Sequence, residues 1–486
     1  MGEADPTLFG FSFNRSVELE GRPERLTADA GVLALRELDE RVGFTHEIAA
    51  ALHDPRRQDL VTHPLQELLR SRLFAMVQGH RDQDDLDRLR DDGAFRLAVS
   101  ERRGDAPLRP VPEEELTPDG LASQPTQSRL VGNLCRFGNL DVLADQLFAT
   151  AVKAQRAMRR GQRVRSLTLD VDSLPILVHG NQVGGEANGH YHHQVFHPLI
   201  AMHGVTGDWL DAALRPGSVH TSTGLEEFLL PLVARAEREL CQVAHVRADA
   251  GMPKPELLVA LDDYDRGQGR PTGVPYVFRL SSNPVLERMA EPFLRRPPGR
   301  PPQAERVWVH ELRYQAKTWD RERRVVLVVV DRPGLLFVEH FFLLTSYAEK
   351  DKDGLELLDH YRGRGTMEGR IGELKDVLRP ALSSSSRGRG DDEGRDGFAA
   401  NQANLLLYAL AYNLANLLRR VTAAATRTAW SLQRMREVLL RVPARLLLHA
   451  RRVTVVVRGE VAPLWNAVLA GLTRLRPVAA GPPARG

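Results

Sequence analysis

Cysteine is almost missing from this chain of 486 residues: only Cys135 and Cys241 occur, far apart and without CxxC spacing. This scarcity excludes a disulfide framework and argues against a zinc site built on thiolates. Long apolar runs are missing too, since no stretch approaches the roughly 18 residues that a membrane helix needs. The acidic start, MGEADPTLFG, lacks the basic residues of a signal peptide. We therefore expect a cytoplasmic protein with no membrane partner.

Several common functional motifs are also absent. There is no Gly-x-Ser-x-Gly, and the glycine-containing segment RGQGRPTG lacks the GK[ST] ending of a phosphate-binding loop. Four histidines, His190, His192, His193 and His197, form a cluster that suggests zinc. On a strand, however, they would divide between two faces and could not easily surround one ion. The sequence therefore favours neither a serine hydrolase, nor a nucleotide-binding protein, nor a zinc enzyme.

Charge is distributed unevenly along the chain. Residues 401–486 contain thirteen arginines, two glutamates and no lysine or aspartate, which gives +11. The whole chain carries +3, so residues 1–400 carry −8. Such asymmetry favours a basic region that meets a polyanion and a carboxylate-rich core that holds cations. The alternative is a solvated, arginine-rich helix, and charge alone supports both equally.

With 42% hydrophobic and 27% charged residues, the chain is typical of a globular protein of two to four folded units. Hydrophobic periodicity divides it into five segments. These are a helical domain (1–155), the first part of a mixed α/β core (156–280), a β-rich insertion (281–345), the last part of the core (346–420) and a basic C-terminal region (421–486). Within the core, three strands, a helix, a strand, a helix and a strand follow one another. This order predicts a ribonuclease-H-like mixed sheet in an α/β fold.

Two predicted strands carry or precede aspartates. In VRSLTLDVD, Leu167, Leu169 and Val171 alternate with Thr168, Asp170 and Asp172, as in a half-buried strand. A later segment, QVAHVRAD, ends in Asp249. Carboxylates at the ends of two such strands can meet at one edge of a sheet.

The most specific pattern is Tyr361, Arg364, Glu368 and Lys375, spaced Y-x2-R-x3-E-x6-K. On one continuous α-helix these residues would fall within an arc of about 60°. The pattern predicts a polar face with cations on either side of one carboxylate. The alternative is an exposed helix with ordinary charge pairs.

Glycines interrupt this segment at Gly363, Gly365, Gly369 and Gly372. Each costs a helix about 1 kcal/mol relative to alanine, which a plain surface helix would avoid. Either the helix begins late, or another group approaches its backbone closely.

The segment YRGRGTMEGRIGELK resembles the Tyr-Arg-Glu-Lys signature of bacterial insertion-sequence transposases that use an Asp-Asp-Glu triad. LTLDVDS resembles the strand of that family's first aspartate, and VRADAG resembles the second. NQANLLLYALAYNLANLLRR is similar to the family's closing helix. The resemblance spans roughly residues 25–460.

This resemblance implies that Asp172, Asp249 and Glu368 are catalytic and bind two Mg²⁺ ions, with Mn²⁺ able to substitute. Three converging carboxylates would repel one another unless divalent cations bind, which agrees with that role. Asp170 lies on the same strand face and is the alternative first ligand. Asp172 is favoured because Ser173 follows it, as a small hydroxyl residue does in the family.

The resemblance also implies DNA-binding roles. Tyr361, Arg364 and Lys375 would bind DNA phosphates, and Arg247 is a weaker phosphate candidate. Trp319, in the β-rich insertion, is the candidate for stacking on a flipped base. The alternative for this tryptophan is packing.

The implied reaction is cut-and-paste transposition: hydrolysis at the element ends frees a 3′-OH, which then attacks target DNA. The expected partners are double-stranded DNA, as terminal inverted repeats and target, and a second copy of the chain in a nucleoid-associated homodimer assembled on DNA. Residues 1–155 would recognise the ends, assisted by the basic C-terminus. The alternatives are a ribonuclease-H-like nuclease without strand transfer and an inactive DNA-binding derivative.

Overall fold

A mixed β-sheet runs through the middle of the chain. The computed structural model describes residues 9–19, 25–81, 83–100, 120–159, 165–189, 191–267, 270–296, 299, 303–384, 396–449 and 452–475. The strands are β1 (Phe9–Phe11), β2 (Asn14–Leu19), β3 (Leu26–Thr27), β4 (Ser166–Ser173), β5 (Ile176–Leu177), β6 (Glu186–Asn188), β7 (His193–Phe196), β8 (Leu199–His203), β9 (Trp209–Ala213), β10 (Gln242–Ala248), β11 (Tyr276–Leu280), β12 (Arg306–Tyr314), β13 (Arg323–Asp331), β14 (Glu339–Thr345), β15 (Ala444–His449) and β16 (Arg452–Val456).

Helices precede, cover and follow the sheet. They are α1 (Val32–Val42), α2 (Phe44–Ala51), α3 (Leu65–Gln78), α4 (Asp85–Leu89), α5 (Gly93–Val99), α6 (Gln124–Leu134), α7 (Asn139–Met158), α8 (Leu225–Glu239), α9 (Pro255–Asp262), α10 (Pro284–Ala290), α11 (Gly354–Arg362), α12 (Gly365–Glu373), α13 (Gly397–Thr426), α14 (Leu432–Met435) and α15 (Ala462–Thr473). None of the described helices combines the length and apolar character needed to cross a bilayer.

The central sheet has eight strands in the order β12-β13-β14-β11-β10-β4-β8-β9. β4 pairs antiparallel with β8 and parallel with β10, and β10 pairs parallel with β11. Within the central sheet, β4, β8 and β9 are followed along the chain by α8, β10, α9 and β11, which is the predicted order of strands and helices. Between β4 and β8 the chain forms a separate three-stranded sheet of β5, β7 and β6.

The strands predicted for the β-rich insertion continue this sheet. β14 pairs antiparallel with β11, for example through Leu280 and Phe342, and β13 and β12 extend the sheet as hairpins. All nine residues of β13 are buried. Pairing satisfies the backbone groups that β11 would otherwise expose at a sheet edge.

The long helix α13 is buried along most of its length, as its apolar sequence predicts. Its amide side chains cover the opposite edge strand, β9. Asn413 accepts a hydrogen bond from the backbone N–H of Trp209 at 2.7 Å and donates to the carbonyl oxygen of the same residue at 2.9 Å. Gln402 donates in the same way to the carbonyl oxygen of Ala212 at 2.9 Å. These side-chain amides make the backbone hydrogen bonds that a neighbouring strand would otherwise make.

The two ends of the chain pack together. β3 pairs antiparallel with β15, and Leu35 of α1, Leu406 of α13 and Leu472 of α15 are buried in one apolar core. The predicted helical domain and the basic C-terminal region therefore share a core with the last part of the mixed α/β segment.

Asp211 on β9 offers a test of how burial affects stability. Desolvation raises its pKa from 3.8 to about 6. Folding therefore disfavours its ionisation, and stability is lost as the pH rises from about 4 to 6. We expect Asp211→Asn to raise the free energy of unfolding by about 1–3 kcal/mol at pH 7.5 and to leave it unchanged below pH 4. Thermal unfolding at both pH values checks this, and an equal gain at both would contradict it.

Candidate functional site

Parallel strands bring Asp172 and Asp249 to one edge of the sheet. Arg247 of β10 lies beside Asp170 of β4 in the register of the two strands. Asp172 and Asp249 each stand two residues further along, at the end of β4 and directly after β10. Because neighbouring strands lie about 4.8 Å apart, the two aspartates are neighbours.

Asp170 and Asp172 differ in what surrounds them. Asp170 is fully buried and forms a two-pronged ion pair with Arg247, whose Nε donates to Oδ1 at 2.6 Å and Nη2 to Oδ2 at 2.7 Å. Arg247 also donates to the carbonyl oxygen of His360, so its guanidinium is occupied inside the protein. The side chain of Asp172 is 17% exposed. An ion from solvent can reach Asp172 far more easily than Asp170.

The four signature residues do not share one continuous α-helix. Tyr361 lies in the last turn of α11, Arg364 at the junction of two helices and Glu368 in the first turn of α12. At the junction the N–H of Arg364 donates to the carbonyl oxygen of Tyr361, three residues back, at 2.9 Å. Lys375 belongs to a π-helical turn, Leu374–Leu378. The expectation of an uninterrupted α-helix is therefore wrong.

Arg364 connects two of the predicted catalytic carboxylates. Its Nη1 donates to Oε1 of Glu368 at 2.7 Å and its Nη2 to Oδ2 of Asp172 at 2.6 Å. The second oxygen of Asp172, Oδ1, accepts the backbone N–H of Ser173 at 2.8 Å. Arg364 is only 3% exposed. Residues nearly 200 positions apart in sequence thus meet through one guanidinium.

The carboxylates at this edge also interact electrostatically. Burial raises the pKa of Asp172, the Arg364 guanidinium opposes this rise, and the charges of Asp249 and Glu368 add to it. Burial likewise raises the pKa of Tyr361 to about 12. Asp249 and Glu368 therefore both lie within electrostatic range of Asp172.

Lys375 and Tyr191 complete this environment. Burial lowers the pKa of Lys375, and the charge of Asp172 opposes the effect. Burial raises the pKa of Tyr191, and Asp172 again contributes. Tyr191 lies in the turn between β6 and β7 and belongs to no spacing pattern, so the sequence alone does not indicate it. Its ring contacts His197 edge-on, with 5.8 Å between centroids.

Trp319 occupies a different environment from the one that base stacking requires. It lies in the connection between β12 and β13 and is 9% exposed. Its ring packs edge-on against Tyr314, with 5.4 Å between centroids, within an apolar core. A base could stack on Trp319 only if this packing opened, so the structure supports the packing alternative.

Two kinds of surroundings explain the glycines. A Cβ on Gly363 would collide with Nη1 of the buried Arg247, so the alternative of a close approach to the backbone is confirmed at this position. At Gly365, Gly369 and Gly372, apart from chain neighbours and the helix's own backbone, no described heavy atom lies within 4 Å of the position a Cβ would take. These three positions leave helix backbone bare of contacts with other elements.

The bare positions predict opposite effects for two alanine substitutions. We expect Gly369→Ala to raise the free energy of unfolding by about 0.5–1 kcal/mol, since alanine favours the helix and meets no neighbour. The matched control, Gly363→Ala, should lower it because the new methyl group collides with Arg247. Urea unfolding of both variants checks this, and a destabilised Gly369→Ala would contradict it.

Asp172, Asp249 and Glu368 offer the oxygen donors that Mg²⁺ prefers, so their chemistry fits a hard divalent cation. Arg364 lies between Asp172 and Glu368. Among the described residues, no group of three His, Cys, Asp or Glu side chains stands in metal-binding positions.

In the part of the chain that the structure describes, the histidine cluster belongs to no group of three metal-ligating side chains either. His190 lies outside the described residues. His197 is buried, and its Nδ1 donates to the carbonyl oxygen of Val219 at 3.1 Å. That contact is a structural one.

Comparison with known proteins identifies the family of this chain. The model of a family described as "Transposase DDE domain group 1" matches residues 9–479. No curated protein matches the chain. Among solved structures, the chain is similar to one titled "Cryo-EM structure of piggyBac transposase synaptic complex with hairpin DNA (SNHP)", with 12% identity over 85% of this chain and 80% of that chain and a TM-score of 0.34.

Proposed function

The chain belongs to the family of transposases with a DDE domain, and we propose that it moves a bacterial insertion sequence by cut-and-paste transposition. Two observations support this proposal: the charges of Asp249 and Glu368 both act on Asp172, and Arg364 donates hydrogen bonds to Asp172 and Glu368. The signature Y-x2-R-x3-E-x6-K supplies the last carboxylate and the basic groups around it.

We assign the central strands to a ribonuclease-H-like core. The spatial order β9-β8-β4-β10-β11 supports this assignment, because the first three strands along the chain are antiparallel neighbours and the next two run parallel to β4. In this arrangement the carboxyl ends of β4 and β10 point to the same edge of the sheet. The helix that carries Glu368 then closes the site from one face.

Asp172, Asp249 and Glu368 would hold two Mg²⁺ ions, or Mn²⁺ in their place, which activate a water molecule and stabilise the charge of an in-line phosphoryl transfer. The protein would position these carboxylates. The N–H of Ser173 fixes Oδ1 of Asp172. Tyr361 and Lys375 would donate hydrogen bonds to phosphates beside the cleaved bond.

The proposed reaction has two steps. Water attacks the phosphodiester at the element end and leaves a free 3′-OH, which then attacks a phosphodiester of the target DNA. Each step is a direct displacement at phosphorus, so no covalent bond to a serine, cysteine or tyrosine side chain is needed.

The basic C-terminal region is joined to the signature helices. Arg419 donates to Oε2 of Glu373 at 2.7 Å, and the N–H of Leu432 donates to Oε1 of the same residue at 2.9 Å. The exposed arginines among the described residues of this region are 427, 434, 441, 445, 452, 458 and 474. We propose that they bind the DNA backbone while residues 1–155 recognise the element ends.

Binding to duplex DNA should therefore depend strongly on salt. We expect the affinity to fall about 100-fold or more between 50 and 200 mM NaCl, since each phosphate contact releases counterions. Arg452→Ala should reduce the slope of log Kd against log salt by about one. Arg238→Ala, an exposed arginine of α8, is the matched control and should leave it unchanged. Fluorescence anisotropy measures both, and a flat salt response would contradict the proposal.

The deciding experiment incubates the protein with labelled element ends, a target plasmid and Mg²⁺. Strand-joined product supports transposition. Cleavage without joining would instead indicate a nuclease, and binding without cleavage an inactive DNA-binding derivative. Sedimentation of the complex tests the expected homodimer on DNA.

A further inference from the structure

We propose that Arg364 makes cation binding at this site conditional on DNA. The Arg364 guanidinium and a divalent cation compete for the same oxygens of Asp172 and Glu368, and a DNA phosphate relieves the competition by binding the guanidinium. The inference rests on the proposed function, because it takes these two carboxylates to be cation ligands.

The hydrogen bonds of the carboxylates support direct competition. Arg364 binds Oδ2 of Asp172 at 2.6 Å and Oε1 of Glu368 at 2.7 Å, and Ser173 binds Oδ1 of Asp172 at 2.8 Å. Both oxygens of Asp172 therefore accept a hydrogen bond. A cation at about 2.0–2.1 Å from Oδ2 of Asp172 would stand beside the positive Arg364 guanidinium. Arg364 can leave by a change of rotamer, whereas the backbone N–H of Ser173 cannot.

Charge favours the same conclusion. Arg364 is buried and lies between the carboxylates of Asp172 and Glu368. Its positive charge offsets the repulsion between these two negative groups, which would otherwise favour the binding of a cation. A divalent ion brought to the same position would meet a like charge in a partly desolvated site. Cation binding is therefore weaker while Arg364 stays in place.

The hydrogen-bonding capacity of Arg364 is not filled where it stands. Its Nε is buried and has no hydrogen-bond partner among the described residues. Apart from its chain neighbours and its own helix backbone, no described heavy atom lies within 4 Å of the position a Cβ on Gly365 would take. Once the guanidinium turns away from the carboxylates, a phosphate at this bare backbone can bind it with two parallel hydrogen bonds, the geometry that arginine favours.

The coupling between the two ligands must be reciprocal. If a phosphate strengthens cation binding, the cation strengthens phosphate binding by the same factor. The consequence is specificity: the carboxylates bind their cations tightly only when DNA lies in the site.

Mn²⁺ binding to the full chain, followed by electron paramagnetic resonance of the free ion, tests the inference without using activity. Without DNA, we expect Arg364→Gln to bind Mn²⁺ about 10- to 100-fold more tightly than the unmodified protein. The matched control is Arg370→Gln, on the same helix, whose guanidinium donates to the carbonyl oxygens of Gly204 and Val205. It should bind Mn²⁺ as the unmodified protein does.

A second measurement remains informative if Arg364→Gln fails to fold. A 30-base-pair DNA duplex should strengthen Mn²⁺ binding to the unmodified protein about 10-fold or more, after subtraction of Mn²⁺ bound by the duplex alone. Lack of this gain, or equal affinities of Arg364→Gln and the unmodified protein, would overturn the inference. The proposed function would fail separately, if Asp172→Asn and Glu368→Gln both bound Mn²⁺ as tightly as the unmodified protein in the presence of the duplex.

Discussion

Glu368→Gln is expected to abolish strand cleavage and joining while the protein stays folded and binds DNA. The side chain of Glu368 is 65% exposed, and its hydrogen bond is to Arg364. Glutamine keeps the size and can accept the same hydrogen bond, so stability should change by less than about 1 kcal/mol. The charge that binds a cation is lost, however, and we expect the rate to fall about 1,000-fold or more.

Asp376→Asn is the matched control, because Asp376 is an exposed carboxylate in the next turns of the same helical segment. It should retain activity within about twofold. Gel assays of cleaved and joined products, with anisotropy for DNA binding, separate the two effects. Full activity of Glu368→Gln would rule out its assigned role.

The second large effect concerns the buried ion pair beneath the site. Removing one partner, as in Asp170→Asn or Arg247→Met, should lower the free energy of unfolding by about 3–5 kcal/mol, because the other charge stays buried and unpaired. Arg247 also holds the carbonyl oxygen of His360 in α11. Its loss should therefore displace Tyr361 and Arg364 and reduce activity as well.

The double substitution Asp170→Leu with Arg247→Met distinguishes lost charge pairing from lost shape. It should recover part of the stability, since neither charge then remains buried. The exposed pair Arg57 and Asp59 is a control whose removal should cost less than about 1 kcal/mol. Urea unfolding of the four variants measures this, and a cost below 1 kcal/mol for Asp170→Asn would contradict the assigned pairing.

Local periodicity predicted the elements but not the contacts between them. The alternation in β4 and the apolar sequence of α13 were sufficient for a strand and a buried helix, because both depend on neighbouring residues. The same alternation puts Asp170 and Asp172 on one face and cannot tell them apart. The difference between them comes from Arg247, 77 residues later, which binds one and not the other.

Burial decides what the local pattern leaves open. Pairing of β14 with β11 adds the strands of the predicted insertion to the central sheet, and the indole of Trp319 is buried in the apolar core. Which strand edge remains free for such pairing depends on the whole sheet. Tyr191 was missed for a related reason, since a turn brings it near Asp172 without any repeat in the sequence.

The sequence by itself determined the type and order of the core elements and selected the residues of the candidate site, because periodicity and spacing are properties of neighbouring residues. The tertiary structure decided that Arg247 forms an ion pair with Asp170, that Arg364 donates hydrogen bonds to both Asp172 and Glu368, and that Arg247 lies against Gly363. Apart from the contact between Arg364 and Glu368, four positions apart, these contacts connect residues separated by 77 to 192 positions, and only packing in three dimensions fixes which of them meet.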